Sequence, residues 1–340
     1  MNFFAGALMV FTWNTLPYHF FNIFGFFVFL IFNYRSFRLT NNEIIISIII
    51  FAYALTVFFS SFVNKGEIGP GFFWFMALGI LIFFRLSFQS QRDLLLGSVL
   101  TLLLLGFLDT YFRYIDLLET PFINFHALKF GNIGIDTNHS AYLFFLSFGI
   151  ILFYGKLFLS RLSQLSIVFL FLMLIILSLS RSAWIGFLFI SSIYLFRKSI
   201  LTLFFLSFSL IVLCVYSLLS GDFLLTTDQS FLSRLEIIDS AIEYTNSWSL
   251  LNIILGVGGN VTLGSHSLHL LYPQIIFFSG LLGLSLWLGF SFLFLFLGVG
   301  VIILAINIVG WSFAPLSSPV LSLMLYFEYS VQRSKYNSYL

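Results

Sequence analysis

Long apolar runs, separated by short polar clusters, fill most of the chain. They cover 18–33, 43–63, 71–85, 94–109, 139–155, 165–180, 183–196 and 200–219, and a longer tract extends from 271 to 327. Each run is continuous over about 15–25 residues rather than alternating over about 10, the pattern of a membrane helix and not of a β-barrel strand. The tract from 271 onward is too long for one span. Pro315 and Pro319 break it near a turn, and 280–310 fits either one long tilted helix or two short ones. The first dozen residues fit a further short or re-entrant piece ended at Pro17. The pattern predicts an all-α, polytopic transmembrane helical bundle of about 10 spans, with residues 1–340 forming a single integral membrane domain.

Composition excludes the alternatives. The chain is 60% hydrophobic and 8% charged, against about 25% charged for a soluble domain, so lipid is the solvent for most of its surface. Net charge is +2 with the basic residues scattered, which argues against a nucleic-acid partner. Cys214 is the single cysteine; no intramolecular disulfide or cysteine metal site follows. The start, MNFFAGALMVFTW, lacks a basic leader and a small-residue cleavage site, so it is expected to be retained.

Charge also predicts orientation. With the loop at 34–42 on the cytoplasmic side, Arg35 and Arg38, Arg85 and Arg92, Lys156 and Arg161, and Arg197 and Lys198 all fall inside, as the positive-inside tendency requires. If 280–310 is two spans, Arg333 and Lys335 join them. The opposite side then holds Glu67, Asp109, Asp116, Glu119, Asp136, Asp222, Asp228, Glu236, Asp239 and Glu243, ten of the 13 acidic residues, against Lys65, Arg113, Lys129, Arg181 and Arg234. Two external segments exceed a turn: a first loop at 110–138 and a second at 220–270. The second is the expected seat of chemistry, because it concentrates polar residues that the rest of the chain avoids.

Arg181, in LSLSRSAWIGF, stands at the outer end of a span, where the charge tendency disfavours it. A guanidinium there suits forked hydrogen bonding to a phosphate or carboxylate; the plainer reading is a side chain snorkelling to lipid headgroups. Arg234 opens RLEIIDSAIEY, where Leu235, Ile238 and Ile242 recur opposite Glu236, Asp239 and Glu243, the pattern of a short amphipathic helix at the outer boundary. At the first turn its charge opposes the helix dipole, and a solvated loop charge paired with Glu236 or Asp239 is the plainer reading. The glycines at 256–259 lack the ending of a phosphate loop and read as a flexible turn. His266 and His269 lie three apart, on one face if helical. Zinc needs at least a third protein ligand, and the remaining histidines do not cluster with this pair; a general base or a headgroup hydrogen bond fits a single histidine. Asp136 or Asn138 is expected to cap the helix that follows the first external loop, with sugar contact as the alternative for Asp136, Asn138 and His139.

Taken in order, LSRSAWIGF at 179–187, RLEIIDSAI at 234–242, LGVGGN at 255–260 and His269 followed by Gly280-Leu-Leu-Gly283 resemble the O-antigen polymerase and O-antigen ligase superfamily. The pattern covers roughly 178–290. The resemblance implies a GT-C-like membrane glycosyltransferase of the bacterial inner membrane, with a periplasmic active site. Its donor and acceptor would be undecaprenyl-pyrophosphate-linked glycans, with no metal or other cofactor. It implies that Arg181 and Arg234 hold the donor pyrophosphate and that His269 is the catalytic histidine. The family usually has Asn, Ser or Gln after that histidine; Leu270 follows His269, whereas Ser267 follows His266, three residues farther from Gly280. Both histidines therefore remain candidates.

The chemistry is self-consistent. Two arginines offset charge developing on a pyrophosphate leaving group, and a histidine takes the proton of the attacking sugar hydroxyl. Direct displacement predicts inversion, without the carboxylate pair of glycosidases. Polymerisation of repeat units is the first expectation, transfer of finished glycan to lipid A-core the second, and a transporter or flippase the third. A transporter would place charge within its spans, whereas no span here is expected to carry one. Lipid bilayer, glycan donor and acceptor, and a chain-length regulator are the partners these readings imply.

Overall fold

The computed structural model describes residues 1–13, 18–64, 70–119, 137–178, 180–196, 229–258, 262–263, 266–267, 271–298, 300–309 and 318–337. It is almost entirely helical. In chain order the helices are α1 (Asn2–Met9), α2 (Tyr18–Asn33), α3 (Asn41–Val63), α4 (Pro70–Leu81), α5 (Phe88–Glu119), α6 (Thr137–Tyr154), α7 (Arg161–Leu177) and α8 (Arg181–Phe196). They continue with α9 (Gln229–Thr245), α10 (Leu250–Leu255), α11 (Leu271–Phe296), α12 (Val301–Val309) and α13 (Pro319–Asn337). Two short strands, β1 (Thr262–Leu263) and β2 (His266–Ser267), pair antiparallel between α10 and α11. Seven of the predicted apolar runs coincide with α2 to α8; the run at 200–219 lies outside the described residues. The tract from 271 resolves into α11, α12 and α13, so 280–310 forms two helices.

Among the described residues, four helices are long and apolar enough to cross a membrane: Asn41–Val63, Phe88–Ile115, Asn138–Leu157 and Leu271–Phe296. Shorter apolar helices cover Phe72–Leu81, Arg161–Leu177 and Ala183–Leu195. Phe20, Phe24, Phe27, Phe59 and Phe292 point outward, as side chains do when the surrounding medium is hydrocarbon. The interior is aromatic: Trp287 is fully buried, with Phe75, Tyr53 and Phe290 about its ring.

One end of the bundle ties together the chain's first third and its last helix. Arg38 donates its backbone N–H to Phe83 (2.8 Å) and Arg85 donates to Ser36 (2.9 Å), so the 34–40 and 82–87 turns run side by side. Glu43, in the first turn of α3, pairs with Arg333 of α13 at 2.6 Å, close in distance though outside hydrogen-bond alignment, and with Arg85 at 4.0 Å. Gln91 donates to Ser330 (2.8 Å). Two of the basic turns expected to share a side, 34–40 and 82–87, therefore share an end, and Arg197 and Lys198 lie outside the described residues.

Two helices stop or start inside the bundle, where open backbone groups must find partners. Fully buried Asn22 offers its amide N–H groups to the carbonyls of Leu8, Met9 and Phe11 (3.0, 3.1 and 2.7 Å), closing the end of α1. Fully buried Glu328 accepts the N–H groups of Val301 and Ile302 at the start of α12 (2.9 and 3.0 Å), and Tyr154 Oη donates to it at 2.8 Å.

The first ten residues of the expected external segment at 110–138 are helical, as the continuation of α5 through Glu119. One expectation is corrected. Interior charge is present: Asp109 and Arg113, both buried, lie within the Phe88–Ile115 span, and Glu328 lies in the buried part of α13. Asp109 and Arg113 escape a hydropathy reading because a helix of this length carries them past the end of the apolar run while keeping them four residues apart on one face.

Candidate functional site

The polar groups set aside by the sequence lie at the end opposite Glu43 and Arg333. From Glu43 to Ser61, α3 rises about 27 Å at 1.5 Å per residue, and α6 rises about 24 Å from Tyr154 to Asn138. Two constellations stand at this far end.

The first joins α5, α6, α7 and α8. At Gly106 of α5 an added Cβ would come within 2.6 Å of Leu174 of α7 and 2.8 Å of Phe144 of α6, so the three helices touch there. Farther out along α5, Arg113 Nε donates to Asp109 Oδ2 at 3.0 Å, and Thr110 lies within 3.4 Å of the guanidinium. Farther out along α7, the LSRSAW segment turns the chain into α8. Ser180 Oγ accepts from Ala183 N–H (3.5 Å) and donates to Asn138 Oδ1 (2.8 Å), while Trp184 Nε1 donates to Ile175 O (3.1 Å). Ser180 is thus both the cap of α8 and a crosslink to α6, and Trp184 fastens the new helix to the old one. These bonds hold Arg181 at the first helical position. Asn138 is the second residue of α6 rather than its cap, because that helix already starts at Thr137; Asp136 lies outside the described residues.

The second constellation is built on α9, α10, the hairpin and the start of α11. Arg234 stands in the second turn of α9, not at its opening, because the helix starts five residues earlier at Gln229. The dipole objection to a charge in the first turn therefore falls away. The buried face of α9 is Ile237 and Ala241, packed against Phe277 of α11, whereas Ile242 points outward. Tyr244 stacks on Phe277 with ring centroids 5.8 Å apart, and Trp248 meets it edge-on at 4.9 Å. Of the predicted stripe, Ile238 packs against this cluster and Ile242 points outward, since what selects the face is the phenyl ring of Phe277; the side chain of Leu235 lies outside the described residues.

The glycine-rich turn is a clasp rather than a flexible link. Gly256 has φ 78° and Gly280 has φ 63°, both in the left-handed region that favours glycine. A Cβ on Gly256 would lie 2.5 Å from Phe277 O, and one on Gly280 would lie 2.2 Å from Ile254 O. Backbone meets backbone, with Val257 N–H donating to Phe277 O at 2.7 Å. The positive φ of Gly280 interrupts α11 and frees that carbonyl. Asn64 at the end of α3 donates to Gly256 O at 3.2 Å, so the clasp also holds a spanning helix.

From the clasp the chain enters the hairpin, where Leu263 pairs with His266 and Thr262 with Ser267. β1 lies beside α9, so the helix bearing Arg234 borders the hairpin to which His266 belongs. His266 is extended, and a shared helical face with His269 does not form; His269 itself lies outside the described residues. The structure therefore brings the Arg234 helix, the GVG turn, Gly280 and the His266 strand into one packed unit, and sets Arg181 at the same end in the other. Among the described residues no group of three or more His, Cys, Asp or Glu comes together. Sequence reasoning missed the Asp109–Arg113 pair, although the D-T-Y-F-R spacing carries a helical pairing signal, and the Ser180–Asn138 bond, for which no local signal exists. No protein-family model matches the chain, and neither does any curated protein sequence.

Proposed function

We propose that the chain is a membrane glycosyltransferase that polymerises undecaprenyl-pyrophosphate-linked repeat units on the periplasmic side of the bacterial inner membrane, in a GT-C-like bundle of about 10 spans. The observation that carries the reading is the gathering of dispersed motif segments at one end: the Arg234 helix, the Gly256 turn, the Gly280 kink and the His266 strand in one unit, with the start of α8 at Arg181 at the same end of the bundle. Arg181 is the first residue of α8, and a helix start and a guanidinium each favour an anion.

In this reading Arg181 and Arg234 hold the donor pyrophosphate and stabilise it as it leaves. His269 or His266 takes the proton from the acceptor hydroxyl, and attack on the opposite face inverts the anomeric carbon. The reaction draws on no metal, the apolar body accommodates the polyprenyl tails, and a chain-length regulator is the protein partner.

Surface glycan from a strain lacking the gene tests it. A ladder reduced to core plus one repeat unit is the expected outcome; long chains accumulating on the undecaprenyl carrier, with none on lipid A-core, would assign the ligase reaction instead. Arg181→Ala and Arg234→Ala, each at normal protein abundance, should each abolish elongation, and retention in both removes the mechanism. Transport is the other reading that an observation favours, because Asp109, Arg113 and Glu328 put charge inside the bundle. An unchanged glycan ladder would favour it.

A further inference from the structure

Helix α10 is six residues long, LLNIIL, and buries none of its own side chains. Leu250 is 73% exposed, and Leu251, Ile253 and Ile254 also face outward. So short a helix, presenting four large aliphatic groups, does not belong in water.

Its position says what covers it. α10 packs against α3 and α11, two of the helices long and apolar enough to cross the membrane. Those two helices also expose large apolar side chains, Phe62 of α3 and Leu281 of α11, so the apolar face of α10 joins helices that themselves turn apolar groups outward. The depth agrees: the clasp that follows α10 meets α3 at Ser61, about 27 Å along that helix from Glu43, against a hydrocarbon layer about 30 Å thick.

The ends of α10 are also prepared for a medium that offers no hydrogen bonds. Ser249 Oγ accepts from Asn252 N–H (3.2 Å), Gly256 N–H donates to Asn252 O (2.7 Å), and Asn64 donates to Gly256 O. The preceding helix has the opposite character, since α9 turns Glu236, Asp239 and Glu243 outward. The boundary between water and lipid therefore falls between α9 and α10, with Tyr244 and Trp248 at the crossing, where amphipathic rings are favoured.

We propose that α10 is a fixed wedge immersed in the acyl chains of the leaflet at this end of the bundle, and that it sets the height of the Arg234–His266 unit above the bilayer. The glycine clasp makes the wedge rigid, because α10 cannot leave the lipid without separating from Gly280 and Asn64. The inference does not rest on the glycosyl-transfer reading.

Nitroxide labelling of the full chain tests it, in liposomes of phosphatidylethanolamine and phosphatidylglycerol. With Cys214→Ser as background, single labels go at Leu250→Cys and Ile254→Cys, with Phe292→Cys as the lipid-facing reference and Asp239→Cys as the water-facing one. Both α10 labels should collide with oxygen in preference to a water-soluble nickel chelate, with ratios on the Phe292 side of the midpoint between the references. Ratios on the Asp239 side place α10 in water and overturn the proposal. Low collision with both reagents means that a second copy or another protein covers the face, and overturns it too, as does disagreement between the two α10 labels.

Discussion

Single residues in this bundle act mainly by closing the hydrogen-bonding needs of groups that lipid would leave open. Arg113 and Asp109 are both buried and bonded at 3.0 Å, so removing one partner takes a charge-assisted bond from the other in a low dielectric. Arg113→Ala should cost about 3–5 kcal/mol, whereas replacing both by apolar residues of similar volume should be close to neutral; thermal unfolding in detergent compares the two variants. Glu328 is held by two backbone N–H groups and Tyr154. Glu328→Ala leaves those donors without their acceptor and should cost about 1.5–3 kcal/mol for each charged hydrogen bond lost, and the same melts measure it. The two cases differ in how much of them the sequence displays. An acid and a base four apart already announce a helical pair, but the partners of Glu328 are 26, 27 and 174 residues away along the chain, and no local pattern links a carboxylate to the first turn of a distant helix.

At the level of elements, hydropathy was a good guide to which stretches are helical and a poor one to where they end. Apolar runs predict α2 to α8 because a spanning helix must be apolar over its whole lipid-facing length. They stop short at 109 because α5 continues there with a buried Asp109–Arg113 pair instead of apolar side chains. In α9 one edge of the face was misread: Ile242 looks like core in a periodic pattern, yet Phe277, 35 residues downstream in the numbering of the chain, decides which side is covered. The glycines show the same limit, since a dense run reads as flexible until the second backbone that fills the space is in view. Gly256→Ala and Gly280→Ala should each destabilise the external segment by about 1–3 kcal/mol through overpacking, with left-handed strain added. Because they face each other across one contact, the double variant should cost less than the sum. Limited proteolysis between α10 and α11 reports the loosened clasp, and strictly additive rates would mean that the two glycines act separately.

For the whole molecule, the instructive feature is that the charge asymmetry and the packing agree without sharing a cause. Loop arginines select an orientation during insertion, whereas Glu43, Arg85 and Arg333 come together because a buried carboxylate needs cations. That the same residues serve both ends makes the C-terminal helix part of the fold's closure. Neither end discloses which compartment it faces, so the orientation becomes a prediction. Single cysteines in a Cys214→Ser background at Leu39 and Ser87 should be shielded from a membrane-impermeant thiol reagent in intact cells, whereas one at Glu243 should react. Labelling of Glu243 together with Leu39 would contradict the helix connectivity, since the turns at 34–40 and 82–87 lie at the opposite end from α9. Labelling of Leu39 and Ser87 alone would invert the whole bundle and set Arg181, Arg234 and the His266 strand in the cytoplasm, where a periplasmic transfer reaction has no place. The proposed chemistry thus depends on a property that the charges predict and the fold is compatible with, and the reagent decides between the two orientations in one experiment.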